Sequence, residues 1–221
     1  MDQKIEWGTM NYELGAIRKG RVTQIIHALQ KLFPDAKIAL RYKNSWELLV
    51  AVILSAQCTD KKVNEVTEML FKKYRTLDDY VRASPHIFEK DVYQTGFYRA
   101  KTQHILATAE IVKKRFGGRV PRTMEEIMTL PGVARKTANV VLGNAYGIVE
   151  GIAVDTHVRR LSRLFGLTDH TDPNKIEQDL MAVVPRKDWM NFTYVLIEYG
   201  RKYCSARRHT HEECPLAHLY I

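Results

Sequence analysis

Apolar side chains along this chain recur at the spacing of helices rather than of strands. Five of them lie three or four residues apart, as on one helix face: Val22, Ile25, Ile26, Leu29 and Leu32. The same periodicity predicts further helices around residues 45–56, 61–74, 105–112, 123–130, 135–147, 156–165, 174–183 and 189–202. Only the segment 48–54 could also form a buried strand. Because convincing alternation is absent elsewhere, the pattern predicts an all-α fold.

Glycine and proline separate these helical segments. The breakers are Gly117-Gly118 with Pro121, then Pro131-Gly132, and then Asp172-Pro173. The chain contains no low-complexity linker and no simple repeat. We therefore expect helices joined by short connections.

The charge balance of the chain is strongly basic. The 221 residues include 34 Lys and Arg against 25 Asp and Glu, for a formal net charge of +9. A compact protein this basic either binds a polyanion or is simply well solvated, and nucleic acid is the usual polyanion. Charge alone leaves both interpretations open.

Cysteine content and the apolar runs indicate the compartment. Three cysteines, Cys58, Cys204 and Cys214, do not build a disulfide framework, so a reducing cytoplasm is expected. The N-terminus lacks the apolar stretch of a signal peptide. The most apolar run, Leu48–Leu54, is too short to span a bilayer, so no membrane association is predicted.

A tight reversal is predicted at residues 130–139, which read LPGVARKTAN. Pro131 cannot continue a helix, and Gly132 can adopt positive φ. The helix that follows would present its free N–H groups, with Arg135 and Lys136 beside them, to an anion. A generic turn of this kind is more often an ordinary helix–helix connection, but the full string is more specific.

That string resembles the helix-hairpin-helix motif of the endonuclease III family of DNA glycosylases. AVDTHV at residues 153–158 is similar to the family's catalytic-aspartate motif, and LSAQCTD at 54–60 and GFYRAK at 96–101 also match. The likeness runs in family order from about residue 20 to about residue 204. One departure is Ala134, where the family usually has a second glycine; a methyl group there could strain the turn or displace a phosphate.

The resemblance implies two helical domains with the active site in the cleft between them. A six-helix barrel carrying the hairpin would span residues 37–148. Residues 1–36 and 149–221 would pair to form the second domain.

The resemblance implies that Lys136 and Asp155 are catalytic. A carboxylate stabilises the positive charge that develops on the sugar when the glycosidic bond breaks. A neutral lysine amine can attack C1′ and form a Schiff base, which permits β-elimination. Superfamily members without this lysine generally lack the lyase step. Alone, Lys136 would be a surface lysine and Asp155 an N-cap, and His157 is equally consistent with a supporting or a packed histidine.

Base excision requires the nucleotide to leave the duplex, so DNA-contacting residues are also implied. By the resemblance, Gln57 fills the vacated stack, and Phe97 wedges beside the partner base. The hairpin contributes Gly132, Ala134, Arg135 and Thr137 to phosphate binding. The alternatives are that Gln57 caps the preceding helix and that Phe97 belongs to the core.

The C-terminal tail departs from the family. The resemblance implies a [4Fe–4S] cluster on four cysteines, but those positions hold Cys204, His211, Cys214 and Tyr220. A metal-free tail is therefore favoured. Two weaker alternatives remain open: an intact cluster that uses His211 in place of one cysteine, and zinc on Cys204, His211, Cys214 and His218.

The sequence thus predicts a monomeric glycosylase with abasic-site lyase activity on double-stranded DNA that carries a damaged base or abasic site. Its substrates are expected to be oxidised pyrimidines. Two alternatives remain open: a glycosylase for thymine or uracil opposite guanine, and a non-catalytic DNA-binding protein. The joint presence of Lys136 and Asp155 counts against the second.

Overall fold

The computed structural model describes the backbone of residues 3–221 and the side chains of residues 18–221. Within these residues the regular structure is entirely helical, which confirms the predicted all-α fold. The helices are α1 (Gln3–Leu32), α2 (Ser45–Leu54), α3 (Asp60–Lys73), α4 (Leu77–Val81), α5 (Pro85–Val92), α6 (Tyr98–Arg115), α7 (Met124–Ile127), α8 (Arg135–Tyr146), α9 (Thr156–Leu164), α10 (Pro173–Val183) and α11 (Trp189–Lys202).

The chain divides into two compact units. One is Ile38–Glu150, which holds α2 to α8, and the other combines Met1–Lys37 with Gly151–Ile221. The predicted description of residues 37–148 as a six-helix barrel, and of a cleft beside it, stays a prediction.

Helix α2 forms the centre of the unit 38–150. Every residue from Leu48 to Leu54 is buried, so this helix is apolar all round. It contacts α3, α6 and α8. The run that could have been a strand is therefore a central helix, and each fully buried leucine or isoleucine contributes about 1.5–3 kcal/mol.

Side-chain caps explain where several helices of this unit begin. The Asn44 side chain accepts from the Glu47 N–H at the start of α2, and Thr59 does the same for Lys62 at the start of α3. These oxygens satisfy N–H groups that the helix itself leaves unpaired. The short loop between α2 and α3 therefore ends at a defined residue, Thr59.

The other unit packs α11 against α1 and α9. Phe165, Phe192 and Tyr199 are fully buried in it. Beyond α11 the tail contains only two single-turn 3-10 helices, His211–Glu213 and Ala217–Leu219. The tail therefore has few backbone hydrogen bonds within itself.

Among the described residues, no helix has the length and apolar character needed to cross a membrane.

Candidate active site and tail metal-ligand group

The predicted hairpin is present between α7 and α8. Gly132 has φ of +77°, and a Cβ there would lie 2.8 Å from Nδ1 of His104. The Thr108 hydroxyl donates to the Pro131 carbonyl at 3.1 Å. Only glycine combines that backbone with so close an approach, so α6, which carries His104 and Thr108, fixes the reversal.

Ala134 is the N-cap of α8, with φ of −94° and ψ of 171°. This extended backbone suits any L-residue, so the departure from the family's glycine causes no backbone strain. Helix α8 starts at Arg135 and has no side-chain cap. Lys136 is exposed in its first turn and Thr137 is half-buried, beside N–H groups that favour an anion.

Asp155 is the N-cap of α9, in the other unit. Its Oδ1 accepts a hydrogen bond from the Val158 N–H at 2.8 Å. Asp155 therefore does act as an N-cap, the structural role considered for it from the sequence. A carboxylate has further acceptor positions, so capping does not prevent a second role.

His157 packs on α11. A Cβ at Gly200 would clash with the His157 ring, so that glycine lets the two helices approach. This contact is the packed arrangement weighed in the sequence analysis.

The loop with Gln57 follows α2. Gln57 is exposed and has φ of +53°, a left-handed conformation that is uncommon outside glycine. The C-cap of α2 is Ser55, whose hydroxyl donates to the Val52 carbonyl at 2.8 Å. The alternative that Gln57 caps this helix is therefore wrong.

The loop with Phe97 precedes α6. Phe97 also has a left-handed backbone, with φ of +47°, and its side chain is 64% exposed. The alternative that Phe97 belongs to the core is therefore wrong. A large apolar ring held in solvent on a strained residue is a feature of binding loops.

Lys101 joins these two loops. Its side chain is buried at 3% exposure, and Nζ donates to the Leu54 carbonyl at 2.8 Å and to the Thr95 carbonyl at 2.7 Å. Burial lowers the pKa of this amine. Lys101 lies inside the matching motif GFYRAK, which was the one sequence signal for this positioning contact.

Four potential metal ligands converge in the tail. The ligand atoms lie within 4.8 Å of one another, and we call their residues the tail tetrad: Cys204, His209, His211 and Cys214. The Cys204 Sγ lies 3.7 Å from the His211 Nδ1, and the Cys214 Sγ lies 3.4 Å from the His209 Nε2. The preference for a metal-free tail is not supported, because this group could hold a metal.

The predicted ligand set needs one correction. His218 lies apart from the tail tetrad, beside Gly20, Arg21 and Gln24, and His209 takes its place. The conformation of the loop determines which histidine lies near the two cysteines, and sequence spacing alone does not predict that conformation.

Tyr220, which stands at the family's fourth cysteine position, pairs its hydroxyl with that of Tyr199 at 2.6 Å. Burial raises its pKa, so the phenol stays neutral. Its ring packs edge-on against His211. Tyr220 is a neighbour of the tail tetrad and not one of its ligands.

Residues 50–186 match the family model of the HhH-GPD superfamily base excision DNA repair proteins, and the chain belongs to that superfamily. Endonuclease III of Synechocystis sp. is 48% identical over 92% of this chain and 93% of its own length. Endonuclease III of Bacillus subtilis is 43% identical, over 89% and 91%. The chain is thus a member of the endonuclease III family, as the motifs predicted.

A solved structure of endonuclease III also resembles this chain. The structure of a trapped endonuclease III–DNA covalent intermediate has a TM-score of 0.87 and 41% identity, and the match covers 91% of this chain and 95% of that one. A thermostable thymine-DNA glycosylase has a TM-score of 0.78 at 21% identity, covering 91% and 95%. The second likeness shows the fold alone.

Gly132→Ala should lower the free energy of unfolding by about 1–3 kcal/mol, because an L-residue is strained at this φ and its methyl group would meet His104. Denaturant unfolding measures the change. Ala134→Gly, two residues on in the extended region, is the matched control and should change stability by less than about 1 kcal/mol. Equal effects of the two substitutions would contradict the geometry of the hairpin.

Lys101→Met should destabilise the protein by about 1–3 kcal/mol, since two buried carbonyls lose their donor. Amide hydrogen exchange should rise at residues 55–58 and 95–97. Lys114→Met, at an exposed position of the same helix, is the control and should stay within about 0.5 kcal/mol of the unmodified protein. Unchanged exchange in both loops would remove the positioning role of Lys101.

Proposed function

We propose that this protein removes oxidised pyrimidines from duplex DNA and then cuts the strand, with Lys136 as nucleophile and Asp155 as the stabilising carboxylate. Membership of the endonuclease III family makes it a base-excision DNA glycosylase with abasic-site lyase activity. The observation that carries the residue assignment is the position of Lys136 in the uncapped first turn of α8.

Lys136 is placed where an amine can meet a sugar beside a phosphate. The first-turn N–H groups attract a phosphate, so the amine of Lys136 lies beside the place where a DNA phosphate would bind. Attack of the amine at C1′ breaks the bond to the base, and opening of the sugar ring at the C1′–O4′ bond then gives the Schiff base. Loss of a C2′ proton then expels the 3′ phosphate by β-elimination.

Asp155 supplies the negative charge that this reaction needs. As the base departs, positive charge develops on the sugar, and a fixed carboxylate stabilises it. The hydrogen bond from the Val158 N–H orients the carboxylate. We therefore assign Asp155 two roles, as the cap of α9 and as a catalytic residue.

Gln57 and Phe97 suit base extrusion. Both are exposed on left-handed loop residues, and Lys101 ties their loops together. An extruded nucleotide leaves a gap and an unstacked partner base, which an amide and an aromatic ring can fill and cover. With the hairpin residues Gly132, Ala134, Arg135 and Thr137, they form the proposed DNA-contacting set.

The [4Fe–4S] cluster that the resemblance implies does not fit the donor set of the tail. Each ligand of such a cluster binds a different iron atom, and thiolates are the usual donors. Here only two thiols are available, and all four ligand atoms of the tail tetrad lie within 4.8 Å of one another. No step of the proposed reaction involves the tail.

The alternative substrate, thymine or uracil opposite guanine, has no specific support. The likeness to a thymine-DNA glycosylase is one of fold, at 21% identity. A monomeric state and a cytoplasmic, DNA-associated location remain parts of the proposal. Oxidised pyrimidines are preferred here because the motifs follow the endonuclease III pattern.

Lys136→Gln should abolish covalent trapping by borohydride on a duplex with an abasic site, because the Schiff base then has no amine to form from. Gel shift of the denatured complex measures the trapped fraction. Lys114→Gln, an exposed lysine of α6, is the control and should trap as the unmodified protein does. Full trapping by Lys136→Gln would assign the nucleophile to another amine.

Asp155→Asn should slow base removal by at least about 100-fold, through loss of charge opposite the transition state. Because asparagine caps helices as well as aspartate does, stability should stay within about 0.5 kcal/mol. Single-turnover kinetics, a binding isotherm and denaturant unfolding separate these effects. Unchanged turnover in Asp155→Asn would leave Asp155 with the structural role alone.

A further inference from the structure

The ligand atoms of the tail tetrad are spaced for one small ion rather than for a cluster. Zinc bonds to sulfur at about 2.3 Å and to nitrogen at about 2.0–2.1 Å, so tetrahedral ligands stand about 3.3–3.8 Å apart. Two sulfur–nitrogen separations, 3.7 Å for Cys204 Sγ to His211 Nδ1 and 3.4 Å for Cys214 Sγ to His209 Nε2, lie in that range. The arrangement therefore suits a single tetrahedral centre.

The chemistry of the donors agrees with their spacing. Two thiolates and two neutral imidazoles are a common structural zinc set and balance the charge of Zn²⁺. Charge balance matters because Cys204 is fully buried and Cys214 is 5% exposed, and an uncompensated charge there would be costly. Soft thiolates with imidazoles disfavour magnesium or calcium.

Arg160 contacts one of the four ligands, Cys204, from outside the tail tetrad. Arg160, on α9, donates from one guanidinium nitrogen to the Cys204 Sγ at 3.3 Å and from the other to the Cys204 carbonyl. The sulfur is thus held as an acceptor, facing the other three ligands. Such outer contacts orient metal ligands.

We propose that the tail tetrad binds one structural zinc ion, in place of the iron–sulfur cluster that the resemblance implies. The ion closes the segment 204–214 into a loop directly after α11. Beyond this loop, the Leu216 N–H donates to the Tyr199 hydroxyl and the Ile221 N–H to the Leu164 carbonyl. Zinc therefore holds the tail on α9 and α11, where its own hydrogen bonds are few.

Metal content of the full chain is the direct test. The protein is produced in medium containing both iron and zinc, purified without oxygen, and measured for zinc, iron and acid-labile sulfide. We expect one zinc per chain and no stoichiometric iron or sulfide. About four irons and four sulfides per chain would overturn the proposal in favour of a cluster. A protein that holds no metal would overturn it as well.

Histidine variants then test the ligand set. His209→Ala and His211→Ala should each weaken zinc binding against a competing chelator by more than about tenfold, since even outer-shell partners contribute about 10–100-fold. His218→Ala, in the same tail but outside the tail tetrad, is the matched control and should bind as the unmodified protein does. If His209→Ala binds as tightly as His218→Ala, the proposed ligand set is wrong.

Cobalt substitution covers the case in which a variant fails to fold. Co²⁺ in the unmodified protein should give the intense visible bands of a tetrahedral ion and a thiolate charge-transfer band. Weak octahedral bands, or no thiolate band, would overturn the proposal. The metal measurements need no DNA, so they test the zinc site independently of the proposed function. A contradicted zinc site with successful trapping through Lys136, or the opposite result, would show which of the two proposals is wrong.

Discussion

The buried ammonium group of Lys101 organises the part of the protein that we expect to meet DNA. It holds the end of α2 and the segment before α6 through two carbonyl oxygens, at 2.8 and 2.7 Å. Each loop contains one residue, Gln57 or Phe97, in a left-handed backbone that costs about 1–2 kcal/mol. A flexible loop would relax such strain, so the rigid attachment at Lys101 is what lets both side chains remain exposed.

The same helix also fixes the hairpin. His104 and Thr108 lie three and seven residues after Lys101, on one face of α6, and contact Gly132 and the Pro131 carbonyl. Helix α6 thus contacts three separate segments of the chain: the end of α2, the segment before α6 and the hairpin. This arrangement would hold the proposed nucleophile Lys136, the proposed plug Gln57 and the proposed wedge Phe97 in fixed positions relative to one another within the unit 38–150.

A sequence pattern predicts a structural feature only where the pattern spans enough residues to be recognised. Periodicity predicted the long helices, but α4 and α5 are too short to show a face. Motif order predicted the family and led to Lys136 and Asp155. Lys101 was missed because a lysine in a helix is usually solvent-exposed. His209 also lies near the two cysteines in sequence, but the predicted ligand set contained His218 instead, because loop conformation decides which histidine reaches a cysteine and loops have no sequence periodicity.

Helix α9 links the proposed zinc site to the proposed chemistry. It begins at the Asp155 cap, contacts Cys204 through Arg160, and receives the Ile221 N–H at the Leu164 carbonyl. The tail therefore touches this helix at two points beyond the carboxylate. Zinc has a filled d shell and no redox chemistry, so it would contribute position and stability and no electron transfer. In this chain, the tail would serve catalysis only by holding the helix that carries Asp155.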